Sequence, residues 1–214
     1  MKITIVGANG KIGKLLVSLL KENGNHLVQA MVRKEEQKKY FKEIGVETVL
    51  ADLEGKVDEI AEAIKGSDAV VFTAGSGGHT GADKTLLVDL DGAVKTIEAA
   101  EQVGASRFIM VSALQAHNRE NWNKNIKHYY VAKHYADRIL AESSLNYTII
   151  RPGALLDKHG TGKITAAENL QRGSIPREDV AAVIVASLTE ENTFKRSFDL
   201  VSGNTPIREA LRSI

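Results

Sequence analysis

The sequence predicts an α/β fold, a doubly wound parallel sheet that is covered by helices on both faces. Strand-like apolar runs alternate with helical stretches along the chain, which is typical of parallel sheets built from strand–helix units. The runs are rich in Val and Ile and nearly continuous, as in strands that are buried on both faces. At 214 residues the chain is long enough to bury a substantial core. We therefore expect a single domain over residues 1–214, in which residues 153–214 form a small C-terminal region.

The predicted elements follow one another in a regular series. Apolar runs predict strands at Lys2–Val6, Leu27–Val32, Val46–Ala51, Ala69–Phe72, Arg107–Val111, Tyr147–Arg151 and, later, Ser197–Val201. Apolar residues three and four apart predict helices at Lys14–Asn23, Glu35–Ile44, Val57–Ile64, Asp83–Val103, Ile126–Ser143, Arg177–Leu188 and from Thr205 onward. After Arg151 the alternation loosens into a glycine-containing loop with a short segment near Ile164.

The turn after the first strand carries the most specific signal in the chain. Gly7 permits a sharp turn, Gly10 lets backbone N–H groups approach a phosphate closely, and Gly13 lets the next helix pack against the sheet. The helix would point the positive end of its dipole at that phosphate. A strand before and a helix after favour a dinucleotide-binding turn over a purely structural one. The candidate cofactor-binding residues of this turn are Gly7, Asn9, Gly10, Lys11, Ile12 and Gly13.

Basic residues indicate which dinucleotide to expect. Arg33 follows the second strand, where an NAD site usually has an Asp or Glu that binds the ribose 2′-hydroxyl. Its guanidinium suits a 2′-phosphate instead, and Lys11 could supply a second positive charge. We therefore expect NADP(H) as the cofactor and regard NAD(H) as the less favoured choice. The alternative is that Arg33 is an ordinary surface residue at the start of a charged helix.

Further cofactor contacts are expected where the third and fourth strands end. Asp52 could accept a hydrogen bond from the adenine amine while Leu53 packs on the ring. A plain turn or helix-capping role for Asp52 remains open. The small residues Thr73, Ala74 and Gly75 would let the backbone approach the cofactor ribose, although helix packing could equally explain their size.

Three residues are candidates for the chemistry: Ser112, Tyr129 and Lys133. Tyr129 and Lys133 are separated by four in a predicted helix, so they share one face. An ammonium beside a phenol is expected to lower the tyrosine pKa from its ordinary value of about 10, which would let Tyr129 exchange a proton with a substrate oxygen. Lys133 could also bind the nicotinamide ribose. Ser112, just past the fifth strand, could polarise the same substrate oxygen.

Together these motifs resemble the short-chain dehydrogenase/reductase superfamily over essentially the whole chain. The residues that carry the resemblance are GANGKIG in the first turn, VSA at Ser112, YYVAK up to Lys133, and RPG up to Gly153. The chain is most similar in kind to the small, atypical NAD(P)-binding members that are described as epimerases or oxidoreductases. The resemblance implies an NAD(P)-binding Rossmann fold in which residues 153–214 contribute the substrate side. It also implies that Asp89 replaces the usual active-site Asn, and that the nicotinamide is flanked by Pro152, Gly153, Ala154 and Leu155.

The function expected from these residues is that of an NADP-dependent oxidoreductase of the atypical short-chain type. It would transfer hydride between NADP(H) and a small carbonyl or alcohol substrate, with Tyr129 as proton donor or acceptor. Three alternatives stay open: a non-catalytic NADP(H)-binding redox sensor, an NAD(P)-dependent epimerase, and a quinone or flavin reductase. About 60 residues after Gly153 are few for a sugar-nucleotide substrate domain, which argues against such a substrate.

Composition argues against several other classes of protein. There is no cysteine, so disulfides, thiolate metal sites and Cys nucleophiles are excluded, and the six histidines lack metal-ligand spacing, so we expect no metal. Acidic and basic residues are balanced at 27 and 28, which gives no reason to expect a nucleic acid or membrane partner. With no signal-like segment, we expect a cytoplasmic protein that acts on a small molecule. A homodimer remains open.

Overall fold

The computed structural model describes residues 1–214, and strands alternate with helices along it as predicted. The strands are β1 (Lys2–Val6), β2 (Leu27–Val32), β3 (Glu47–Leu50), β4 (Ala69–Phe72), β5 (Arg107–Val111), β6 (Asn146–Pro152), β7 (Ala154–Leu156), β8 (Lys163–Ala167), β9 (Ser174–Pro176), β10 (Arg196–Ser202) and β11 (Thr205–Pro206). The helices are α1 (Lys11–Asn23), α2 (Lys38–Glu43), α3 (Val57–Ile64), α4 (Ala82–Lys84), α5 (Gly92–Gln102), α6 (Lys127–Glu142), α7 (Arg177–Ser187) and α8 (Ile207–Arg212). None of the helices is long and apolar enough to cross a membrane.

Nine of the strands form one sheet, in the order β11-β8-β10-β6-β5-β4-β1-β2-β3. The strands from β3 to β10 in that order run parallel, and Ile5 of β1 lies opposite Ala30 of β2 on one side and Val71 of β4 on the other. Strand β8 runs antiparallel to both of its neighbours, β10 and β11. The chain direction across the sheet reverses at β1 and β4, which opens a crevice at the carboxyl ends of the strands. The predicted doubly wound fold is confirmed.

Both faces of the sheet are buried because alternate residues of the central strands enter opposite cores. In β4, Val71 packs into one apolar cluster together with Leu16 of α1 and Ile184 of α7. The next residue, Phe72, packs into the other cluster with Ile97 of α5. Strands with both faces covered need apolar residues at every position, which explains the continuous Val and Ile runs of the sequence.

The first helix begins at Lys11, three residues earlier than the predicted start at Lys14. Gly13 therefore lies inside its first turn, where a Cβ atom would stand 2.5 Å from the carbonyl oxygen of Gly7. Gly13 is expected to let this helix pack against the sheet, and in the structure its missing side chain lets the helix lie against the backbone of Gly7 and Ala8, directly after β1. Gly24 ends the helix in the left-handed conformation, with φ of 65°.

The long helix predicted over Asp83–Val103 is divided into three pieces. Between α4 and α5, residues Thr85–Asp91 form a π-helical segment. Such segments are rare, and they occur often at functional sites. The apolar pattern does not reveal the change of winding, because the π segment differs from an α-helix in its backbone hydrogen bonds.

A small second sheet is absent from the sequence prediction. Strand β7 pairs in parallel with β9, and Leu155 lies opposite Ile175. The sequence analysis treats this part of the chain as loop because strands of three residues are too short to show a period. This pairing holds the segment that follows β6 next to β9.

Candidate functional site

A narrow cleft of about 260 Å³ lies at the carboxyl ends of β1 to β4. It is bordered by the turn after each of these strands, as expected for the crevice of a doubly wound sheet. The structure brings most of the predicted cofactor residues to this one cleft: Gly7, Asn9, Gly10, Arg33, Asp52, Leu53, Thr73, Ala74 and Gly75. Ile12 and Gly13 are buried behind the turn and do not line it.

The glycine turn has the shape of a phosphate cradle. Gly7 has φ of +81°, and a Cβ atom on it would stand 2.6 Å from the backbone of Ala74. The Gly10 N–H is used within the turn, since it donates to the Gly7 carbonyl at 2.9 Å. The next three N–H groups, at residues 11–13, make no backbone hydrogen bond. These are the unsatisfied donors of a helix N-terminus, and they face the turn where an anion is favoured.

Arg33 lies at the far end of the cleft, with its side chain exposed. Gln37 fixes the local backbone, because its side-chain oxygen accepts from the N–H groups of Arg33 at 3.1 Å and Lys34 at 3.3 Å. Gln37 also lines the cleft. Sequence reasoning missed it, although a Gln three residues after the start of a charged helical turn is a capping signal.

Lys11 does not join Arg33. Its ammonium pairs with Asp157 at 2.5 Å, and the same carboxylate pairs with Arg177 at 2.5 Å. The hydrogen bond from Lys11 is the main reason that the pKa of Asp157 is lowered. Because Lys11 does not line the cleft, the expected second cation for a 2′-phosphate is not placed there.

In the turns after β3 and β4, Asp52 and Thr73 make hydrogen bonds that support the fold and also line the cleft. The Asp52 carboxylate accepts from the N–H of Glu54 at 3.0 Å, which is a turn contact, while the residue also lines the cleft. Leu53 packs on Gly92 of α5, where a Cβ would stand 3.0 Å from it. The Thr73 hydroxyl donates to the Val6 carbonyl at 3.0 Å and so ties β4 to β1.

A second, larger cavity of about 1150 Å³ lies at the ends of β5 and β6. Its lining includes the predicted catalytic residues Ser112 and Tyr129. It also includes all four residues expected beside the nicotinamide: Pro152, Gly153, Ala154 and Leu155. One wall is aromatic, since Trp122 stacks on Tyr130 with ring centres 6.1 Å apart.

A buried carboxylate organises the walls of this larger cavity. Asp199 is fully buried and accepts from the Gln115 backbone at 3.2 Å, the Gln115 side chain at 2.7 Å and the Leu170 backbone at 3.1 Å. Gln115 has φ of 62°, which is uncommon for a residue other than glycine, and its side-chain oxygen accepts from Asn121 at 2.9 Å. Sequence reasoning missed these residues because their partners are far apart along the chain.

Lys133 lies behind the cavity rather than in it. Its side chain is buried, and the ammonium donates to the Val111 carbonyl at 2.9 Å. Ser112 is buried at the cavity edge, and its hydroxyl oxygen has no hydrogen-bond partner. The structure therefore brings Ser112 and Tyr129 to one surface, with Lys133 one helical turn below Tyr129 in α6.

The electrostatics of this pair differ from the expectation that Lys133 lowers the pKa of Tyr129. Burial raises the pKa of the Tyr129 phenol, and Asp89, Tyr130 and Asp137 raise it further. Burial also lowers the pKa of Lys133, against the opposing effect of the two carboxylates. Burial and the neighbouring negative charges therefore favour the phenol form of Tyr129 over the phenolate.

Asp137 lies one turn beyond Lys133 on the same face of α6. It forms a buried ion pair with Arg151 of β6, at 2.8 Å. Burial raises the pKa of Asp137, while the charges of Arg151 and Lys133 lower it. The Ser112 hydroxyl lowers it as well from close by, although the two groups do not meet the geometry of a hydrogen bond. Its spacing of four from Lys133 is visible in the sequence, but its partner Arg151 is not, because that contact depends on how α6 lies against the sheet.

The two cavities fit the two halves of an extended dinucleotide. The narrow cleft offers a glycine cradle without room for Cβ atoms, free helix N–H groups and one cation, which suit the adenine, phosphate and ribose groups. The larger cavity offers the unpaired Ser112 hydroxyl and Tyr129 beside residues 152–155, which suits a nicotinamide ring and a substrate. No group of three His, Cys, Asp or Glu side chains is arranged to bind a metal ion.

Comparisons with known proteins also indicate a protein that binds a nicotinamide dinucleotide. A family model described as NAD(P)H-binding matches residues 7–191. The chain is 63% identical over 214 residues to the uncharacterized sugar epimerase YhfK of Bacillus subtilis (strain 168), and the match covers 100% of both chains. The crystal structure of the oxidoreductase ylbE from Lactococcus lactis is 34% identical, with a TM-score of 0.90 over 100% of this chain and 96% of that one.

A more distant neighbour shares the fold alone. The structure of a short-chain dehydrogenase/reductase from Veillonella parvula in complex with NADP is 18% identical, with a TM-score of 0.77 over 95% of each chain. Its likeness to this chain agrees with the doubly wound sheet.

Proposed function

The chain belongs to the NAD(P)H-binding family, and on that premise we propose that it is an NADP-dependent oxidoreductase in which Tyr129 donates the proton to a substrate carbonyl. One observation carries the proposal. The Tyr129 phenol lines the same cavity as the Ser112 hydroxyl and residues 152–155. A substrate oxygen held between the two hydroxyls would accept a hydrogen bond from Ser112 and the proton from Tyr129, which is the arrangement that general-acid catalysis needs.

NADPH, when bound, supplies the hydride for the new C–H bond. The residues of this chain bind the cofactor, orient the substrate and supply the proton. The N-terminus of α1 binds the phosphates, and Arg33 binds the 2′-phosphate by charge-assisted hydrogen bonds. The Ser112 hydroxyl orients the carbonyl oxygen, and Tyr129 gives that oxygen its proton. The resulting phenolate is reprotonated from water, so that one hydride and one proton are added to the carbonyl.

Tyr129→Phe tests the proposed proton donor. We expect turnover of a carbonyl substrate to fall by about 10²- to 10⁴-fold, because the general acid is lost. NADPH affinity, measured by calorimetry, should stay near the wild-type value. Tyr135→Phe is the matched control, since Tyr135 lies in the same helix but does not line the cavity. Wild-type turnover in the Tyr129 variant would exclude Tyr129 as the proton donor.

The size of the larger cavity favours a second candidate function. About 1150 Å³ exceeds what a small carbonyl compound fills, and Trp122 and Tyr130 form a flat aromatic wall. A quinone or flavin reductase would use this space for a flat acceptor that takes the hydride directly. In that case the Tyr129 variant would retain its rate with quinones, and a panel of carbonyls and quinones distinguishes the two reductases.

The relative YhfK is named as an uncharacterized sugar epimerase, which supports an epimerase as a further alternative. An epimerase would use the same site without net consumption of cofactor, so a substrate would change configuration while the NADPH absorbance stays constant. The redox-sensor alternative predicts tight cofactor binding with no turnover on any compound of the panel. Stoichiometric loss of NADPH absorbance with one carbonyl substrate would exclude both.

A further inference from the structure

The lining of the larger cavity contains an arginine that has no carboxylate partner. Its charged residues are two arginines, Arg172 and Arg177, and one carboxylate, Glu120. Arg177 is already paired with Asp157, and Glu120 pairs with neither arginine. The Arg172 side chain makes one hydrogen bond, to the backbone carbonyl of Asn121 at 3.3 Å. Its other N–H donors and its charge are therefore available to a ligand.

Arg172 extends from the expected nicotinamide site toward the aromatic wall. The residue lines the cavity and is exposed, so it lies at the opening. The carbonyl of the next residue, Gly173, accepts from the N–H of Ala154 at 2.9 Å, which places this part of the backbone beside the residues expected at the nicotinamide. The guanidinium reaches Asn121, the neighbour of Trp122 in the chain. A ligand between the nicotinamide and the aromatic wall would thus lie next to this cation.

The two segments that Arg172 connects are held to each other by the buried Asp199. Its carboxylate accepts from the Gln115 side chain at 2.7 Å and from the Leu170 backbone at 3.1 Å. The Gln115 side-chain oxygen in turn accepts from the Asn121 side chain at 2.9 Å. The fold therefore positions the guanidinium without giving it a counter-ion, and such an arginine is suited to bind an anion.

The aromatic wall offers a flat surface of fixed orientation. The Trp122 indole N–H donates to the Ala116 carbonyl at 3.1 Å, and the ring stacks on Tyr130 with an interplanar angle of 20°. Both rings line the cavity. Flat aromatic surfaces favour aromatic ligands, and about 1150 Å³ has room for such a ligand beside a nicotinamide.

We propose that the substrate is an aromatic carbonyl compound that carries a carboxylate, which Arg172 binds while the ring packs on Trp122 and Tyr130. A single unpaired guanidinium matches a single negative charge, so a carboxylate fits this lining better than a doubly charged phosphate. Its planar fork also matches the two carboxylate oxygens. The inference rests on the proposed function, because it names the substrate class of the same site. It makes Arg172 a residue that determines specificity and takes no part in proton transfer.

Two probes of the same shape test the proposal: 2-naphthoate, which is an anion, and 2-naphthamide, which is neutral. The full chain is labelled with 5-fluorotryptophan, which gives one ¹⁹F resonance because Trp122 is the single tryptophan. Each probe is titrated with and without NADP⁺, so the result does not depend on which cofactor binds. We expect both probes to shift the resonance. Naphthoate should bind about 10-fold more tightly, the lower end for a hydrogen bond to a charged group, because Arg172 is exposed.

Substitutions at Arg172 assign the preference to its charge. In Arg172→Gln, the affinity for naphthoate should fall to that for naphthamide, while the affinity for naphthamide stays the same. Arg172→Lys keeps the charge without the planar fork and should retain part of the preference. Lys124→Gln is the matched control, because Lys124 is a nearby exposed cation that does not line the cavity. That variant should retain the full preference.

Three results would overturn the proposal. The first is equal affinity of the two probes for the wild type. The second is a preference for naphthoate that survives in Arg172→Gln, since another group would then bind the carboxylate. The third is a Trp122 resonance that neither probe shifts, since the aromatic wall would then not bind a ring.

The titration measures no turnover, so its failure is distinguishable from failure of the proposed function. A naphthoate preference that depends on Arg172, together with full turnover in Tyr129→Phe, would refute the proton donor and leave the carboxylate site in place. With NADPH, 4-formylbenzoate and 4-formylbenzamide give the same comparison as substrates, and Arg172→Gln should raise KM for the benzoate with little change in kcat. Reduction of both aldehydes at equal kcat/KM, dependent on Tyr129, would keep the proposed function and overturn the carboxylate specificity.

Discussion

At the scale of single residues, the surroundings of Tyr129 decide the direction in which its pKa shifts. A tyrosine and a lysine four residues apart on an exposed helix would suggest that the ammonium stabilises a phenolate. In the structure, burial lowers the pKa of Lys133. The charges of Asp89 and Asp137 raise the pKa of Tyr129, which favours the phenol over the phenolate. The sequence predicted the pair, but not the direction of the pKa shift, because that direction depends on the surroundings of the helix.

Arg33 is the residue on which the proposed preference for NADP rests. It is the predicted cation that lines the narrow cleft, since Lys11 is paired with Asp157 elsewhere. We expect Arg33→Ala to lower NADPH affinity by about 10- to 100-fold, which is the range for hydrogen bonds between charged groups. NADH affinity should change little, because NADH has no 2′-phosphate.

Calorimetric titration of both cofactors checks this prediction. Lys34→Ala is the control, because Lys34 is the next cation in sequence, pairs with Glu36 at 3.7 Å and does not line the cleft. Equal loss of NADH and NADPH binding in Arg33→Ala would show that Arg33 supports the fold of the turn. Unchanged binding of both would show that Arg33 is an ordinary surface residue.

At the scale of elements, the glycine turn leaves no room for a side chain at Gly7. Gly7 and Gly24 both have positive φ, at 81° and 65°. A Cβ on Gly7 would overlap the backbone of Ala74, whereas a Cβ on Gly24 would meet nothing within 4 Å. Gly24→Ala should therefore cost only the left-handed strain, about 1–2 kcal/mol. Gly7→Ala should cost about 1–3 kcal/mol more, because a backbone must also move.

Urea denaturation followed by the fluorescence of the single tryptophan, Trp122, measures both losses. The Gly7 variant should also lose NADPH binding, because Gly7 shapes the phosphate cradle. The Gly24 variant should keep it, because Gly24 lies at the other end of α1. Equal losses of free energy of unfolding in the two variants would mean that the approach of Ala74 is not a constraint.

Elements differ in how far the sequence could predict them. The six strands from β1 to β6 and the helix Val57–Ile64 lie where continuous apolar runs and helical spacing placed them. The π winding of Thr85–Asp91 was not predictable, because it depends on hydrogen bonds that shift by one residue without altering the apolar face. The parallel pair Ala154–Leu156 and Ser174–Pro176 was also not predictable, since three residues carry no period.

At the scale of the whole molecule, the candidate site is assembled from segments that are distant in the chain. Ser112 follows β5, Tyr129 lies in the first turn of α6, and residues 152–155 run from the last residue of β6 into β7. The parallel sheet brings these together because it aligns the carboxyl ends of its strands at one edge. The sequence could place such residues at that edge by their position after strands. It could not predict the contacts of Gln115 and Asp199, which are 84 residues apart.

Asp199 ties together the walls of the larger cavity, so its charge state should govern their order. An asparagine there would present an N–H₂ group to at least one of the N–H donors that the carboxylate now accepts, from Gln115 and Leu170. An unpaired buried donor costs about 1–3 kcal/mol. We expect Asp199→Asn to lose that much stability, and to show faster hydrogen exchange over residues 113–123 and 168–173.

Asp179→Asn separates this effect from the general cost of neutralising a buried aspartate. Asp179 is 2% exposed and accepts from the N–H groups of Thr161 at 2.9 Å and Gly162 at 2.8 Å, but it does not line the cavity. Its variant should lose comparable stability, with faster exchange confined to residues near 161. If Asp199→Asn left exchange over residues 113–123 at the wild-type rate, the cavity wall would not depend on the carboxylate. The wall would then be held by the stacking of Trp122 on Tyr130 and by other local packing.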